Sequence, residues 1–234
     1  MKIGIIGAMR EEIIPLLEIF GKYEEISLGG NIFYCVSYKD SEIYIAYSKI
    51  GKVHSALTAS SMILYFKCEK IIFSGVAGGL RQDLKVGDLM IATKLCQHDV
   101  DISAFGHPLG FIPESKIYIQ SDPKLNEIAK SVAKRYEFDL KEGIIASGDQ
   151  FINNAEKKQW LIEKFNADAV EMEGASVAVV CDLLQVPFCI FRSISDSADG
   201  QADVSFDEFL DSSARISANF VKNMVDTLLQ QDNL

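Results

Sequence analysis

The sequence is short of what several classes of function require. Of its 234 residues only 23 are Lys or Arg, against 33 Asp or Glu, so the formal charge is −10 at pH 7. Nucleic-acid backbones are bound through clusters of Lys and Arg, and this balance opposes a nucleic-acid partner. No apolar run approaches the roughly 18 residues that a membrane-spanning helix needs, so no membrane partner is expected. Met1-Lys-Ile-Gly-Ile-Ile-Gly7 is too short in apolar length for a secretory signal and runs straight into Arg10-Glu11-Glu12, so a cytoplasmic location is expected. The five cysteines (Cys35, Cys68, Cys96, Cys181, Cys189) are odd in number, scattered and mostly in apolar surroundings. They read as reduced thiols, not as a disulfide framework. Pro/Gly/Ser-rich linkers, low-complexity tracts and repeats are missing, while 48% hydrophobic residues supply a full core. Residues 1–234 therefore read as a single domain.

Several catalytic signatures are missing as well. There is no Gly-x-Ser-x-Gly elbow, and no serine or cysteine has an obvious His partner, which disfavours nucleophilic catalysis. His98-Asp-Val-Asp101 and His107 lack the close His pair or Cys set of a metal site, so no metal is expected. They fit better in a surface or interface loop with the apolar stretch Phe105–Pro113. Gly4-Ile-Ile-Gly7-Ala-Met-Arg-Glu11 differs from a dinucleotide fingerprint: Gly4 is inside the strand, and Glu11 and Glu12 stand where pyrophosphate would bind. No cofactor is expected. Compensation of the helix dipole accounts for one of these glutamates, and for both only if neither faces the strand-end crevice.

What the sequence does hold is an alternation of strand-like and helix-like segments. Lys2–Gly7 is a buried strand by its Ile run, and a helix begins at Arg10-Glu11-Glu12 with Pro15 near its first turn. Residues Ile32–Tyr38 and Glu42–Ser48 are β-rich, joined by Lys39-Asp-Ser41. Lys52–Phe66 reads as a helix, Lys70–Ser74 and Asp88–Thr93 as core strands, and Pro123–Tyr136, Ala155–Phe165 and Gly174–Leu184 as helices. The last helix opens on Ser205-Phe-Asp-Glu208, a capping box, and carries Phe209, Phe220, Val221, Met224 and Leu228 at helical spacing. The pattern predicts an α/β fold of three layers, a mostly parallel mixed sheet flanked by helices.

The richest stretch runs from Ala169-Val-Glu-Met-Glu-Gly174 to Ser195-Asp196-Ser-Ala-Asp199. It reads as strand, helix and strand, and Val170 and Met172 alternate with Glu171 and Glu173. Glu173 and Asp196 fall at the two carboxyl ends, where open α/β sheets bind ligands, about 23 residues apart as neighbouring parallel strands of a crossover place them. Ser74-Gly-Val-Ala-Gly-Gly79 follows a strand and is either a tight turn or a glycine-lined ligand loop. Phe151, in Ser147-Gly-Asp-Gln-Phe-Ile152, can stack on a planar ring, although an isolated Phe is more often core. Separated carboxylates, glycine-lined backbone and an aromatic ring suit glycosidic chemistry on a flat base, with one acid for the leaving group and one base for water.

These segments also carry a family resemblance. Ile3-Gly-Ile-Ile-Gly-Ala-Met-Arg-Glu-Glu12, Lys49-Ile-Gly-Lys-Val53, Gly75-Val-Ala-Gly-Gly79, Gly148-Asp-Gln-Phe151, Val170-Glu-Met-Glu-Gly174 and Ser193-Ile-Ser-Asp196 resemble, in order, the 5′-methylthioadenosine/S-adenosylhomocysteine nucleosidases of the purine nucleoside phosphorylase/hydrolase superfamily. His107-Pro-Leu-Gly-Phe-Ile-Pro-Glu-Ser115 is similar to the branch that also cleaves 6-amino-6-deoxyfutalosine, a menaquinone precursor. The resemblance implies a nucleoside phosphorylase-like fold and hydrolysis of 5′-substituted adenine nucleosides, 5′-deoxyadenosine among them. It implies that Asp196 protonates N7 of adenine and Glu12 activates water. Glu173 would hold the ribose hydroxyls over Met172, Phe151 would stack on the base, the Ile152 backbone would read its edge, and Gly78 would line the site. Met9, Ile50 and Phe206 would form the apolar wall, and Ile102, Phe105 and Pro113 would complete the 5′ pocket of a neighbouring subunit in a homodimer. Where the family commonly has Ser in the Gly-x-Ala-Gly-Gly segment this chain has Val76, so only backbone can bind there.

Two other functions remain open on the sequence. A phosphate-dependent phosphorylase of the same fold would need cations near the first strand end, where Arg10 is the only one in the sequence neighbourhood. A nucleoside-binding protein without catalysis would have no need of Glu12, Glu173 and Asp196 together. Arg192 either orients a carboxylate, the favoured reading, or simply ends a strand.

Overall fold

The computed structural model describes residues 1–198 and 202–231. Its elements follow in the order β1 (Lys2–Gly7), α1 (Arg10–Phe20), β2 (Glu24–Leu28), β3 (Asn31–Tyr38), β4 (Ser41–Tyr47), α2 (Lys52–Leu64), β5 (Lys70–Gly79), β6 (Leu89–Gln97), β7 (Ile119–Gln120), α3 (Pro123–Arg135), β8 (Leu140–Ser147), α4 (Ala155–Phe165), β9 (Ala169–Glu171), α5 (Gly174–Leu184), β10 (Phe188–Asp196) and α6 (Ala202–Gln231).

The strands form one mixed sheet in the order β10-β6-β8-β9-β5-β1-β4-β3-β2, with β7 beside β6. Because β10 also pairs with β5, the strands β5, β9, β8, β6 and β10 close into a ring. Helices α1, α3 and α6 pack together on one face, and α2 and α5 on the other. β1 shows why three layers form: Ile3 and Ile5 enter the core under α1 and α6, while Ile6 enters the core under α2 and α5. A strand buried on both faces needs an unbroken apolar run, which is what Lys2–Gly7 has. Gly4 serves packing. A Cβ there would lie 2.7 Å from Ile71 Cδ1 and Met62 Sδ, so its absence lets α2 approach the sheet.

The sequence expectations need correction in five places. Ser74–Gly79 is neither turn nor loop: it is the second half of β5, paired with β10 through Gly78. Glycine tolerates strand geometry, and here neighbouring side chains occupy the space a Cβ would take. β9 and β10 are not adjacent parallel strands. β5 lies between them, antiparallel to β9 and parallel to β10, and Val170 and Asp196 both register on Gly78. Glu173 falls just past β9, at the residue before α5. Pro15 sits in the second turn of α1, where the carbonyl it leaves without an amide partner belongs to the exposed Glu11. α6 starts at Ala202, so Ser205 is inside its first turn and does not precede it; Asp199 lies outside the described residues. β2, largely exposed, was not announced, since only Ile26 and Leu28 alternate with polar residues in it.

Candidate active site

A cavity of about 320 Å³, within the usual range for small-molecule sites, opens at the ends of β1, β5, β9 and β10. Glu12 lines it from the first turn of α1. Its Oε2 accepts the backbone N–H of Ala8 at 2.5 Å and of Met9 at 3.0 Å, and its Oε1 accepts that of Val76 at 2.9 Å. Two of these are amides at the entrance of α1, so Glu12 does cap the helix. A carboxylate has roughly four acceptor positions, and one on Oε1 remains for a ligand or water. The close fit explains Gly75, where a Cβ would stand 2.6 Å from Glu12 Oε1. Burial pushes the Glu12 carboxyl above its ordinary range, against the opposing pull of Arg192 and the three amides. Glu11 and Arg10 are exposed, and Arg10 borders a separate shallow groove with Tyr23 and Tyr34. Dipole compensation thus accounts for Glu11, while Glu12 faces the crevice.

Glu173 enters from the other side. Its Oε1 accepts the Gly51 N–H at 2.8 Å, and its pKa is pushed up to about 8, first by burial and then by the neighbouring Glu171. Glu171 itself is fixed on nearly every side. Its Oε2 accepts Gly174 N–H at 2.7 Å, Glu173 N–H at 3.1 Å and Arg192 Nη2 at 2.5 Å, while Ser147 Oγ donates to Oε1. Ser147 Oγ in turn accepts the Ala175 N–H at 2.7 Å. A buried carboxylate at the N-terminus of α5 therefore meets helix amides and one guanidinium together. Arg192 sits inside β10, stacked 4.1 Å over the Phe73 ring, and orients this carboxylate. It does not end a strand, and it is a second cation near Glu12, one that the sequence neighbourhood of β1 did not reveal.

Asp196 closes the far end. Its Oδ2 accepts Ser195 Oγ and its Oδ1 accepts the Ala198 N–H, both at 2.8 Å. A Cβ at Gly78 would lie 2.8 Å from Asp196 Oδ1, so glycine lets the carboxyl lie flat against β5. Across the cavity Phe151, 48% exposed, meets Phe206 edge-on at 5.8 Å between ring centres. Such a perpendicular pair leaves an aromatic face available to a planar ligand.

Met9, Ile50, Gly78, Phe151, Ile152, Met172 and Phe206 all line the cavity with Glu12, Glu173 and Asp196. Ile102, Phe105 and Pro113 do not. Phe105 and Pro113 are exposed and Ile102 half-buried, away from this chain's own cavity. His98 is buried, not a surface residue, and its ring packs against Gly148. Among the described residues no group of three or more His, Cys, Asp or Glu is arranged to hold a metal ion.

With this geometry in place, a family model described as the Phosphorylase superfamily matches residues 2–230. The chain is 61% identical to an aminodeoxyfutalosine nucleosidase of Helicobacter pylori, over 97% of this chain and 99% of that one. Among solved structures, a futalosine hydrolase of Helicobacter pylori superposes with a TM-score of 0.95 at 61% identity, covering 96% of this chain and 97% of that one. A 5′-methylthioadenosine/S-adenosyl homocysteine nucleosidase of Campylobacter jejuni superposes with a TM-score of 0.92 at 55% identity, covering 96% and 98%. The chain belongs to the 5′-methylthioadenosine/S-adenosylhomocysteine nucleosidase family of the phosphorylase superfamily.

For a member of this family, sequence reasoning missed three parts of the site. Glu171 was masked by period-two alternation, which assigns it to the face opposite Val170; β9 ends at that residue, so its side chain turns into the α5 entrance. Ser147 had no signal, because its partner is 24 residues away. The Val76 amide is invisible in any side-chain motif, although the Ser-to-Val difference pointed to backbone at this position.

Proposed function

We propose that this chain hydrolyses the N-glycosidic bond of 5′-substituted adenine nucleosides, with Glu12 activating water and Asp196 protonating the departing base. The observation that supports this best is the convergence of three buried carboxylates from α1, the α5 entrance and β10 on one cavity with an aromatic wall. Adenine leaves poorly as an anion. A proton delivered to N7 from Asp196 removes that charge as the C1′–N9 bond breaks. The sugar passes through an oxocarbenium-like state, which buried carboxylates stabilise. Glu12 takes a proton from the water whose oxygen bonds to C1′, and free ribose derivative and adenine result. A base whose pKa is raised toward the working pH is better matched to that task than an ordinary carboxylate. Glu173, between Gly51 and the sugar position, holds the ribose hydroxyls, and the developing positive charge favours its ionised form. The 54–61% identical relatives named as aminodeoxyfutalosine nucleosidases support 6-amino-6-deoxyfutalosine as one substrate beside methylthioadenosine and S-adenosylhomocysteine.

Water is preferred to phosphate as nucleophile for an electrostatic reason. Two like charges about 5 Å apart at an effective dielectric of roughly 20 repel by about 3 kcal/mol. Glu12 supplies that repulsion alone, since Glu11 faces solvent, and Arg192 is already engaged by Glu171. The test is adenine release from the three nucleosides with and without phosphate. Equal rates and a free reducing sugar are expected; phosphate-dependent turnover yielding a sugar 1-phosphate would make the chain a phosphorylase.

The working unit is a homodimer in this reading. Phe105 is 82% exposed, and α2 presents Val53, Leu57 and Leu64 to solvent although its opposite side is buried in the core. Residues 53, 57 and 64 fall on one stripe of a helix, and exposed apolar side chains in such a stripe mark an association face. Ile102, Phe105 and Pro113 would then cover the 5′ end of the partner's cavity.

A further inference from the structure

A side chain outside the site holds the turn that follows Asp196. Lys158 lies one turn into α4, and its ammonium donates to the Ser197 carbonyl at 2.6 Å and to the Gly79 carbonyl at 3.1 Å. Gly79 ends β5 and Ser197 follows β10, so one cation ties together the two strand ends that carry Gly78 and Asp196. The adjacent Ala198 has φ +48°, a left-handed conformation that is unfavourable for a residue with a Cβ and persists only where its surroundings impose it. It is fully buried, and its N–H is the donor to Asp196 Oδ1. A Cβ at Gly78 would lie 3.0 Å from Ala198 Cβ, so the turn has little room to shift without moving Asp196. An ammonium has donors only, and carbonyl oxygens at the ends of strands are acceptors that lack ladder partners. The neighbouring Lys157 marks the contrast: it stacks 3.6 Å over Trp160 instead.

We infer that Lys158 is a positioning residue for the leaving-group acid: by clamping Ser197 to Gly79 it fixes the Ala198 turn, and through it the orientation of the Asp196 carboxyl toward the base. The inference rests on the reading of Asp196 given above. It makes a distinction that a general loss of structure would not, because a misplaced acid slows only reactions that need the leaving group protonated.

The experiment compares two substrates, 5′-methylthioadenosine and a 5′-methylthio 4-nitrophenyl riboside, whose nitrophenolate departs without protonation. Lys158→Met is expected to lower kcat on the adenine nucleoside by about 10- to 100-fold, the scale on which a misplaced reacting group acts. KM for that nucleoside, and kcat on the nitrophenyl riboside, are expected to change by no more than about threefold on the same reasoning. Lys158→Arg, which keeps donors at that position, is expected to recover most of the loss. Equal losses on the two substrates, or no loss on methylthioadenosine, would overturn the inference. Should Lys158→Met fail to fold, Lys158→Gln is judged by the same ratio. A wild-type enzyme that releases no adenine would sink the proposed function itself, whereas an active wild type with an unchanged ratio in the variants removes only the role of Lys158.

Discussion

The carboxylate cavity and the outer surfaces of α2 and of residues 102–113 are both places where side chains sit against their solvation preference. In the cavity, Glu12, Glu171, Glu173 and Asp196 are charged or chargeable groups taken out of water. On the outer face Val53, Leu57, Leu64 and Phe105 are apolar groups left in it. The difference lies in compensation. Glu12 receives three backbone amides, Glu171 a guanidinium, two amides and a hydroxyl, and Asp196 an amide and a hydroxyl among its partners, all from the same chain. The apolar side chains on the outer surfaces have no such compensation among the described residues. One region is therefore completed by a single chain, while the other is the surface we propose for a second one.

If the cavity carboxylates act through their protons and charge, their amides cannot replace them. Asp196→Asn is expected to lose at least about 10²-fold in kcat on methylthioadenosine with binding largely kept. A variant that retained more than half of wild-type kcat would remove the acid from Asp196. Glu12→Gln is expected to fall as far, because an amide oxygen cannot take the proton from water. In the wild type, the acid limb of the rate profile should lie above the ordinary Glu range, in line with the upward shift that burial gives Glu12. An acid limb at an ordinary carboxylate pKa would mean that another group is the base.

A smaller effect sharpens the roles inside the cavity. Charge-assisted hydrogen bonds to hydroxyls contribute about 1.5–3 kcal/mol each. Removing the 2′-hydroxyl of the substrate should therefore slow the wild type by about tenfold or more and Glu173→Gln much less. Equal penalties in both enzymes would take the ribose away from Glu173. On the outer face, Leu57→Glu is expected to dissociate the dimer and to raise KM, with the fold of each chain intact. Sedimentation that finds a fully active monomer of the wild type at assay concentration would contradict the second region's assignment.

The smallest effect concerns stability. Glu173 has a folded pKa of about 8 against an ordinary value of 4.5, so the folded state binds its proton more tightly than the unfolded chain. Its contribution to stability is full below pH 4.5 and is lost as pH rises through 8. Glu173→Gln carries no such loss and can still accept the Gly51 amide. It is expected to melt close to wild type near pH 4 and above it at pH 8, where a gain of about 1 kcal/mol corresponds to about 2–4 °C in Tm. A pH-independent difference would show that Glu173 titrates normally.

Much of the fold was legible because its strands and helices differ in period. β1 announced itself by an Ile run, and α4 and α5 by helical spacing, to within a residue of where they lie. The readings failed where local pattern and tertiary role diverge. Gly75 to Gly79 carry every sign of a turn, yet they are strand, and Glu12, Asp196 and Ile194 fill the space that Cβ atoms at Gly75, Gly78 and Gly79 would need. Glu173 and Asp196 do end at the same cavity, but β9 and β10 approach it from opposite directions around β5, an arrangement that no count of intervening residues contains.

The amino-acid sequence carries the chemistry that is available: which carboxylates, glycines and aromatic rings exist, and an acidic balance that opposes a nucleic-acid partner. It also determined the layers, since apolar periodicity is a local property that burial on one or two faces imposes. Only the tertiary structure decided which carboxylates act as groups with altered proton affinity and which serve as scaffold. Glu11 and Glu12 are neighbours in the chain, and one is solvated while the other is buried beside Arg192, 180 residues away. Proton affinity depends on desolvation and on charges close in space, and both are set by the closure of β5 against β10.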